Sequence, residues 1–237
     1  MSRKPFRKLP EIFQNDEVQP YLSILQKRRA TLFVKRLLDI AVSGFMMIVL
    51  SPVIIITSIV VAVSSKGPVF YRQTRVGRLN RDFTVYKFRT MEPGADRTGP
   101  LTVGERDPRI TPVGRFLRKW RIDELPQLFN VLFGDMSMIG ARPEVRKFVD
   151  CYKPEMMASL LLRPGLSCAA SLAFRGENKM LADKEDPGRF YTDEILPAKM
   201  RMNLDYQKNI RLMTDIRLMI KTVVCVLNAG DGFLARC

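Results

Sequence analysis

The sequence predicts a mainly helical α+β fold, in which a re-entrant membrane helix hairpin precedes a compact cytoplasmic domain with short strands and interfacial amphipathic helices. An apolar run without a charged residue, 40–65, is interrupted by a proline. Two segments rich in β-branched and aromatic residues surround a turn, and later segments space apolar residues as in helices. The predicted parts are an N-terminal basic, amphipathic interfacial segment, 1–34, the re-entrant helix, 35–66, and the cytoplasmic domain, 67–237, which ends in an amphipathic helix.

Net charge is the strongest signal in the composition. The 237 residues carry a formal charge of +15, with 46% hydrophobic and 27% charged residues, as in a globular chain. Such a charge predicts a polyanionic partner, which could be nucleic acid, an anionic membrane surface or a phosphorylated substrate. A merely soluble basic protein is the plainer alternative.

Histidine is absent, which excludes Ser-His-Asp and Cys-His catalysis and histidine metal ligands. The four cysteines contain no C-x-x-C pair, so we expect inert cytoplasmic thiols rather than a disulfide framework or a zinc site. The first 30 residues contain no continuous apolar stretch, so no secretory signal is expected there.

The apolar run is long enough for one membrane-spanning helix, which needs about 20 residues. Pro52 argues against a straight helix because proline removes a backbone donor, and the hydroxyl of Ser51 can satisfy a freed carbonyl. Basic residues favour the cytoplasmic side, and they flank both ends of the run: Lys35, Arg36, Lys66, Arg72 and Arg75. We therefore predict a hairpin broken at Ser51-Pro52 that enters and leaves on one face; a true span and a buried core helix are the alternatives.

The segment before the run, 21–39, mixes apolar and basic residues. This pattern predicts a basic amphipathic helix at the membrane interface, with an ordinary surface helix as the alternative. Asp39 is an acid just inside the apolar boundary, and we expect it to pair with Lys35 or Arg36 one turn earlier.

The predicted cytoplasmic domain begins with a hairpin formed by PVFYRQTRVG and DFTVYKFRTM around GRLNR. TPVGRFLRKW and DELPQLFNVLFG predict helices, the second capped by Gly134. RPGLSCAASLAF predicts a turn and a strand, and YTDEILPAKMRMNLDYQ a helix interrupted by Pro197. The last helix, 210–227, has an apolar face that predicts core packing or, as a second interpretation, an interfacial position.

Two dense basic runs converge on one acidic pair, Asp123 and Glu124. The plainest interpretation is that Asp123 caps a helix beginning at Glu124, which is then a surface acid. Alternatively, Asp123 is a nucleophile that forms an acyl phosphate, and Glu124 is an oxygen ligand for Mg²⁺. Arginine forks suit a diphosphate, and the basic residues are Arg72, Arg75, Arg78, Arg81, Lys87, Arg89, Arg106, Arg109, Arg115, Arg118, Lys119, Arg121 and Arg142.

Several strings, in this order, resemble the bacterial sugar transferase family, the small monotopic phosphoglycosyl transferases. They cover about 35–166 and are KRLLD (35–39), SP (51–52), KGPVFYRQTRVG (66–77), YKFRTM (86–91), DPRITPVGRFLRK (107–119), DELPQLFNVLFGDMSMIGARPE (123–144) and RPGL (163–166).

This resemblance implies an enzyme of the bacterial inner membrane, with its catalytic domain in the cytoplasm. It would move a phospho-sugar from a UDP-sugar to polyprenyl phosphate, usually undecaprenyl phosphate, release UMP and so initiate cell-surface glycan assembly. The implied roles are a re-entrant break at Ser51-Pro52, a covalent phospho-sugar on Asp123 and Mg²⁺ on Glu124. The implied phosphate- and nucleotide-binding residues are Lys87, Arg118 and Arg142, and we add Arg89 from the same basic run.

The chain departs from the family pattern at two places. Ala141 stands where Pro-Arg-Pro is usual, and Ser167 and Cys168 follow RPGL where many relatives have Thr-Gly. Arg142 is kept, so we expect activity to survive.

Partners follow from the same observations. We expect anionic membrane lipids as partners, and an apolar membrane helix with an amphipathic C-terminus would permit a homodimer. A membrane-tethered nucleic-acid binder is the alternative, but the basic runs flank an acidic pair and no nucleic-acid-binding motif is present, so we expect no nucleic acid. The sequence contains no D-x-D motif, which argues against a metal-dependent nucleotide-sugar glycosyltransferase. It contains no P-loop, which argues against ATP hydrolysis. For Glu105, Asp107 and Asp135, ion pairing with arginines is expected rather than metal binding.

Overall fold

The part of the protein that the structure describes is mostly helical and contains two small sheets. The computed structural model describes residues 9–95, 101–104 and 107–228. The helices are α1 Gln19–Lys27, α2 Arg29–Val49, α3 Ser51–Ser64, α4 Pro112–Lys119, α5 Gln127–Phe133, α6 Arg146–Val149, α7 Ala169–Ala173, α8 Glu177–Ala182, α9 Pro187–Phe190, α10 Leu196–Lys208 and α11 Leu212–Leu227, and the strands are β1 Phe70–Val76, β2 Asp82–Phe88, β3 Ser137–Ile139 and β4 Gly165–Ser167. Short 3-10 helices cover Glu11–Phe13, Arg78–Asn80, Ile122–Glu124 and Pro154–Leu161. The expected mainly helical α+β class is confirmed.

The predicted hairpin corresponds to α2 and α3, which are bent by 62° at Leu50. Pro52 lies in the first turn of α3, where a backbone N–H would have no partner within the helix, so the N–H that proline lacks costs no hydrogen bond. The hydroxyl of Ser51 donates to the carbonyl of Ile48 at 2.8 Å, as expected for a freed carbonyl. Among the described residues, no single helix has the length and apolarity to cross a membrane, and α2 with α3 reaches them only as a bent pair. Re-entrant insertion therefore stays a prediction.

The described part of the N-terminal segment packs on the rest of the protein. Phe13 and Val18 are fully buried, and Tyr21 and Leu25 place the apolar face of α1 in the same cluster as Met157 and Leu204. The apolar face of α1 is thus covered by protein. Apart from Ile12, which is 44% exposed, the exposed large apolar side chains of the described chain begin in α2. The divisions 1–34, 35–66 and 67–237 stay predictions.

Three polar residues of α2 tie this helix to different elements. Lys35 pairs with Asp215 of α11 at 2.7 Å, and Arg36 donates to the carbonyls of Val131 and Leu132 at the end of α5. Asp39 accepts from the backbone N–H of Met138 at 2.9 Å. The expected ion pair of Asp39 with Lys35 or Arg36 is therefore wrong, because each of these side chains meets a partner from another element. We call Lys35, Tyr206 and Asp215 the Asp215 cluster, since the hydroxyl of Tyr206 donates to the second carboxylate oxygen at 2.6 Å.

The predicted β-hairpin is confirmed. Strands β1 and β2 are antiparallel, with Phe70 opposite Phe88 and Val76 opposite Asp82. Helix α4 packs closely behind the end of β2 because residue 114 is glycine: a Cβ there would lie 2.1 Å from the carbonyl oxygen of Thr90. This contact sets the position of Arg118 on α4.

Strands β3 and β4 form a short parallel pair. Gly140 and Gly165 lie back to back, and a Cβ on Gly165 would meet the backbone N of Gly140 at 2.1 Å. This close approach needs glycine at both positions, and it fixes the start of the segment that carries Arg142. The strand expected in RPGLSCAASLAF is only three residues long, and α7 follows it.

The acidic pair lies in a 3-10 turn, and α5 begins only at Gln127. The expected N-cap role of Asp123 is wrong, because Pro126 precedes the helix and no side chain caps it. The backbone enters the turn through Arg121 in the left-handed region, φ 56°. The predicted C-cap is confirmed at Gly134, φ 101°.

The C-terminal helices differ from expectation in two respects. Pro197 does not interrupt its helix, because it lies in the first turn of α10, directly after a π-helical turn at Tyr191–Ile195. Most of the apolar stripe of α11 is not core, because these side chains are exposed: Met213, Ile216, Ile220, Val223, Val224 and Leu227. The expectation of core packing is therefore wrong for these side chains, and the second interpretation, an interfacial position, stays a prediction.

Candidate active site

A large open cleft, ≈ 2180 Å³, brings the predicted site residues together. It reaches from β1 and β2 past the acidic pair to α2 and α11. The predicted side chains that line it are Lys87, Arg89, Arg118, Asp123, Glu124 and Arg142. Ser51 and Pro52 are not among its lining residues, whereas Leu50, at the bend, is.

Asp123 is a buried carboxylate with an unused oxygen. Its side chain is held in the 3-10 turn, the residue is only 7% exposed, and Oδ1 has no hydrogen-bond partner. Burial, reinforced by the neighbouring charge of Glu124, raises the pKa of Asp123 to about 6, although Lys87, Arg121 and Arg118 act in the opposite direction. An unpaired buried acceptor costs free energy that a ligand could recover.

Glu124 differs from its neighbour because arginines engage it. Both guanidinium NH groups of Arg142 donate to its two carboxylate oxygens, and Arg121 lies 3.3 Å from Oε1. Burial alone would raise the pKa of Glu124, but the charges of Arg142, Arg121 and Lys87 outweigh it and hold this pKa well below its usual range. The pair therefore consists of one firmly ionised carboxylate and one whose charge is costly.

Lys87 projects from β2 into the cleft and has no hydrogen bond or ion pair among the described residues. Burial lowers the pKa of Lys87 to about 8; Glu124 opposes this shift, while Arg142 and Arg75 add to it. A half-buried ammonium group without a partner is available to an anionic ligand.

Arg118 presents part of its guanidinium to the cleft. Nε donates to the hydroxyl of Thr90 at 2.8 Å, and Nη1 to that of Thr102 at 3.2 Å. These neutral partners orient the fork without cancelling its charge. Burial lowers the pKa of Arg118, although Asp123 and Asp107 raise it.

Arg89 is used differently from the other predicted phosphate-binding residues. It is buried, and its guanidinium donates to the carbonyls of Val61, Ser65 and Pro68 and to the hydroxyl of Ser65. These contacts join the C-terminal end of α3 to β2. We therefore assign Arg89 a structural role at the base of α3, where the carbonyls of a helix end attract a cation.

The other acids fall into three cases. Asp107 pairs with Arg109 at 2.6 Å, as expected. Asp135 accepts a hydrogen bond from Asn130 instead of an arginine. Glu105 lies outside the described residues.

A metal ion would have few protein ligands here. Among residues 9–95, 101–104 and 107–228, no group of three or more acidic or cysteine side chains could hold one. The unpaired oxygen of Asp123, beside the ionised Glu124, nevertheless suits Mg²⁺, which often binds one or two carboxylates and completes its shell with substrate phosphates and water. The donor set fits an ion that arrives with a diphosphate.

Two contributors to the site, Thr90 and Glu144, were missed from the sequence, and Arg121 was included only as a member of a basic run. Thr90 orients Arg118, and Arg121 reaches Glu124 from a left-handed backbone position. Glu144 is buried beside Arg75 and accepts from the hydroxyl of Tyr191 at 2.6 Å. The strings YKFRTM and ARPE contain two of these residues, but nothing in either string indicates a contact across the cleft.

Comparison with known proteins identifies the family. The model of the bacterial sugar transferase family matches residues 30–229. A UDP-N-acetylgalactosamine-undecaprenyl-phosphate N-acetylgalactosaminephosphotransferase of Aeromonas hydrophila is 39% identical over 207 residues, which are 86% of this chain and 45% of that protein. A UDP-glucose:undecaprenyl-phosphate glucose-1-phosphate transferase of Caulobacter vibrioides is 32% identical over 84% of this chain and 72% of its own length. An exopolysaccharide production protein of Rhizobium leguminosarum, PSS, is 34% identical over 85% of this chain and 99% of its own length.

This chain belongs to the bacterial sugar transferase family. The resemblance found in the sequence is confirmed, and the names of these relatives agree with the expected enzyme class, phosphoglycosyl transferase. The chain spans less than half of the Aeromonas protein, while it covers almost all of the Rhizobium one.

Proposed function

We propose that this protein moves a phospho-sugar from a UDP-sugar to polyprenyl phosphate, undecaprenyl phosphate in the relatives' names, and releases UMP. It would act at the cytoplasmic face of a bacterial inner membrane and so initiate assembly of a cell-surface glycan. The observation that carries the proposal is the buried, unpaired oxygen of Asp123 within a cleft that also holds unpaired or neutrally paired cations.

In the first step, an oxygen of Asp123 attacks the phosphorus that bears the sugar. A P–O bond forms to the carboxylate, the bond to the UMP oxygen breaks, and UMP leaves with the electron pair. In the second step, a phosphate oxygen of the acceptor attacks the same phosphorus, the bond to Asp123 breaks, and the carboxylate is restored. Neither step needs a histidine base, because both attacking oxygens are anions.

The surrounding cations bind and orient the phosphates. Lys87 and Arg118 lie where their charges act on Asp123, and both oppose the rise in its pKa that burial and Glu124 cause. Arg142 keeps Glu124 ionised beside the reacting carboxylate. Glu124 would hold Mg²⁺ beside Asp123, and the ion would supply neutralisation of phosphate charge.

The test is nucleotide release combined with protein mass. Purified protein receives Mg²⁺ and one UDP-sugar at a time, with and without undecaprenyl phosphate. We expect UMP with one donor and, when acceptor is omitted, a protein mass increased by one phospho-sugar that hydroxylamine removes, as for an acyl phosphate. Release of UDP instead would contradict the reaction, and UMP release without a protein adduct would contradict the covalent step alone.

A further inference from the structure

The cleft that contains the acidic pair continues along an apolar groove between α2 and α11. Val42 and Met46 of α2, and Leu50 directly after its last residue, line it at intervals of four residues, so they lie on one side of the helix. The face of α11 that lines it carries Met219, Val223, Val226 and Leu227. Both helices are described throughout, and neither contributes a charged side chain to the cleft lining.

Polar contacts fix α2 and α11, which form the two walls of the groove. Lys35 of α2 and Asp215 of α11 form a buried ion pair at 2.7 Å. Farther along α11, the hydroxyls of Thr222 and Ser167 lie 2.7 Å apart, and Arg175 donates to the carbonyl of Cys225. Both helices also pack on one cluster that includes Met138 and Ile139 of the β3 region. The buried ion pair and this shared apolar cluster together hold α2 and α11 in place.

The faces of α2 and α11 that do not line the groove carry exposed apolar side chains. Phe45 and Ile48 of α2 and Ile220 and Val224 of α11 are each about half exposed or more, and none of them lines the cleft. A groove between two such helices opens toward the apolar medium that would cover their outer faces. Its other end meets Lys87, Arg118 and Arg142.

We propose that this groove holds the isoprenoid chain of the lipid acceptor while its phosphate lies among the three cations. The inference rests on the proposed function. The match is one of charge: α2 and α11 contribute no charged side chain to the lining, whereas Lys87, Arg118 and Arg142 line the part of the cleft beside Asp123, as an amphiphile with a terminal phosphate requires. Arg175 also lines the cleft, but its guanidinium donates to the carbonyl of Cys225. A lipid whose isoprenoid chain lies in the groove and whose phosphate is bound by the cations has little freedom to turn. The groove would therefore align the acceptor phosphate with the phosphorus on Asp123.

The experiment compares two acceptors with one headgroup, undecaprenyl phosphate and geranyl phosphate, in the same detergent. Val223→Asn changes a cleft residue, and Met46→Gln changes the opposite wall. The matched control is Val224→Asn, the next residue of α11, which is 46% exposed against 55% for Val223 but points away from the cleft lining. All variants are first checked for unaltered thermal unfolding.

We expect the ratio of kcat/KM for the long acceptor to that for the short one to fall by about tenfold in Val223→Asn and in Met46→Gln, because polar atoms then meet the chain. In Val224→Asn it should change by less than about twofold. An unchanged ratio in both cleft variants would overturn the groove, as would equal losses in Val223→Asn and Val224→Asn, which would indicate general membrane attachment. A wild-type protein that transfers to neither acceptor would overturn the proposed function itself, and the inference with it.

Discussion

Two buried aspartates in this protein, Asp215 and Asp123, differ in how their carboxylate oxygens are hydrogen-bonded. Asp215, 4% exposed, has both carboxylate oxygens satisfied, one by Lys35 at 2.7 Å and one by Tyr206 at 2.6 Å. Asp123, 7% exposed, has an oxygen with no partner. A buried carboxylate whose oxygens are all hydrogen-bonded can hold helices together. A buried carboxylate with an unpaired oxygen lowers the stability of the free protein, but that oxygen remains available to a ligand.

The charges around the two residues follow the same division. Asp215 contacts one ammonium group directly. Asp123 is influenced by Lys87, Arg118 and Arg121, which oppose the rise in its pKa without forming an ion pair with it in the described part of the chain. Cations that act from a distance can bind a second anion, and this separates a site from a structural contact.

The strongest test of this comparison is Asp123→Asn. The amide cannot attack phosphorus, so we expect turnover to fall at least about a thousandfold, equivalent to ~4 kcal/mol in the activation free energy. Stability should be unchanged or slightly higher, because a costly buried charge is removed. UMP release and thermal unfolding measure the two effects.

Asp135→Asn is the matched control, since Asp135 is exposed and contacts Asn130. It should keep nearly full activity. If Asp123→Asn retained turnover, the unpaired oxygen of Asp123 would have no chemical role. The distinction between a reactive Asp123 and a structural Asp215 would then be wrong.

Asp215→Asn should show the reverse pattern. It leaves the ammonium group of Lys35 buried without an anionic partner, which costs about 3 kcal/mol in the free energy of unfolding. The double variant Lys35→Met with Asp215→Leu should recover most of that loss, because no unpaired charge remains. Denaturant unfolding in detergent checks both, and a double variant as unstable as the single one would contradict the explanation.

The charge of Lys87 can be tested by pH. Its pKa is lowered to about 8, so the ammonium form is present below that pH and is lost as the pH rises through it. We expect kcat/KM for the UDP-sugar to decline above about pH 8, by up to tenfold per pH unit. Lys87→Arg should remove this decline, because guanidinium stays charged. A decline of the same midpoint in Lys87→Arg would assign it to another group.

Tyr206→Phe should have the smallest effect. It removes one hydrogen bond to Asp215 while the ion pair with Lys35 remains, so we expect a loss of about 1 kcal/mol in the free energy of unfolding. Turnover at a temperature well below unfolding should not change. A marked loss of turnover in this variant would place the Asp215 cluster in catalysis and break the comparison.

Local patterns in the sequence predicted the local structure well. The β1–β2 hairpin, the glycine cap at Gly134 and the helix break at Ser51-Pro52 all depend on a few adjacent residues. The predicted ion pair of Asp39 was wrong, because its partner is a backbone N–H almost a hundred residues away. The contact of Arg89 with the end of α3 was not anticipated either, and a phosphate-binding role of Arg89 stays a prediction.

The sequence predicted several residues that belong to the site but not how their side chains contact one another. The basic runs and the acidic pair were evident, and the cleft contains members of both. The different environments of Asp123 and Glu124 were not predictable, because they depend on Arg142, which lies on another loop, and on a left-handed residue at Arg121. Close approaches at Gly114 and Gly165 set these positions, and a single sequence does not indicate which glycines make such contacts.

The 62° bend between α2 and α3 has a consequence for which side of a membrane supplies the acceptor. The 14 residues of α3 extend about 21 Å, and two legs arranged symmetrically about the membrane normal would each lean by about 59°, so the hairpin would reach only about 11 Å deep. One leaflet of the hydrocarbon core is roughly 15 Å thick. Inserted in this way, the protein would contact lipids of a single leaflet, and both its acceptor and its product would belong to that leaflet until something else carried the product across.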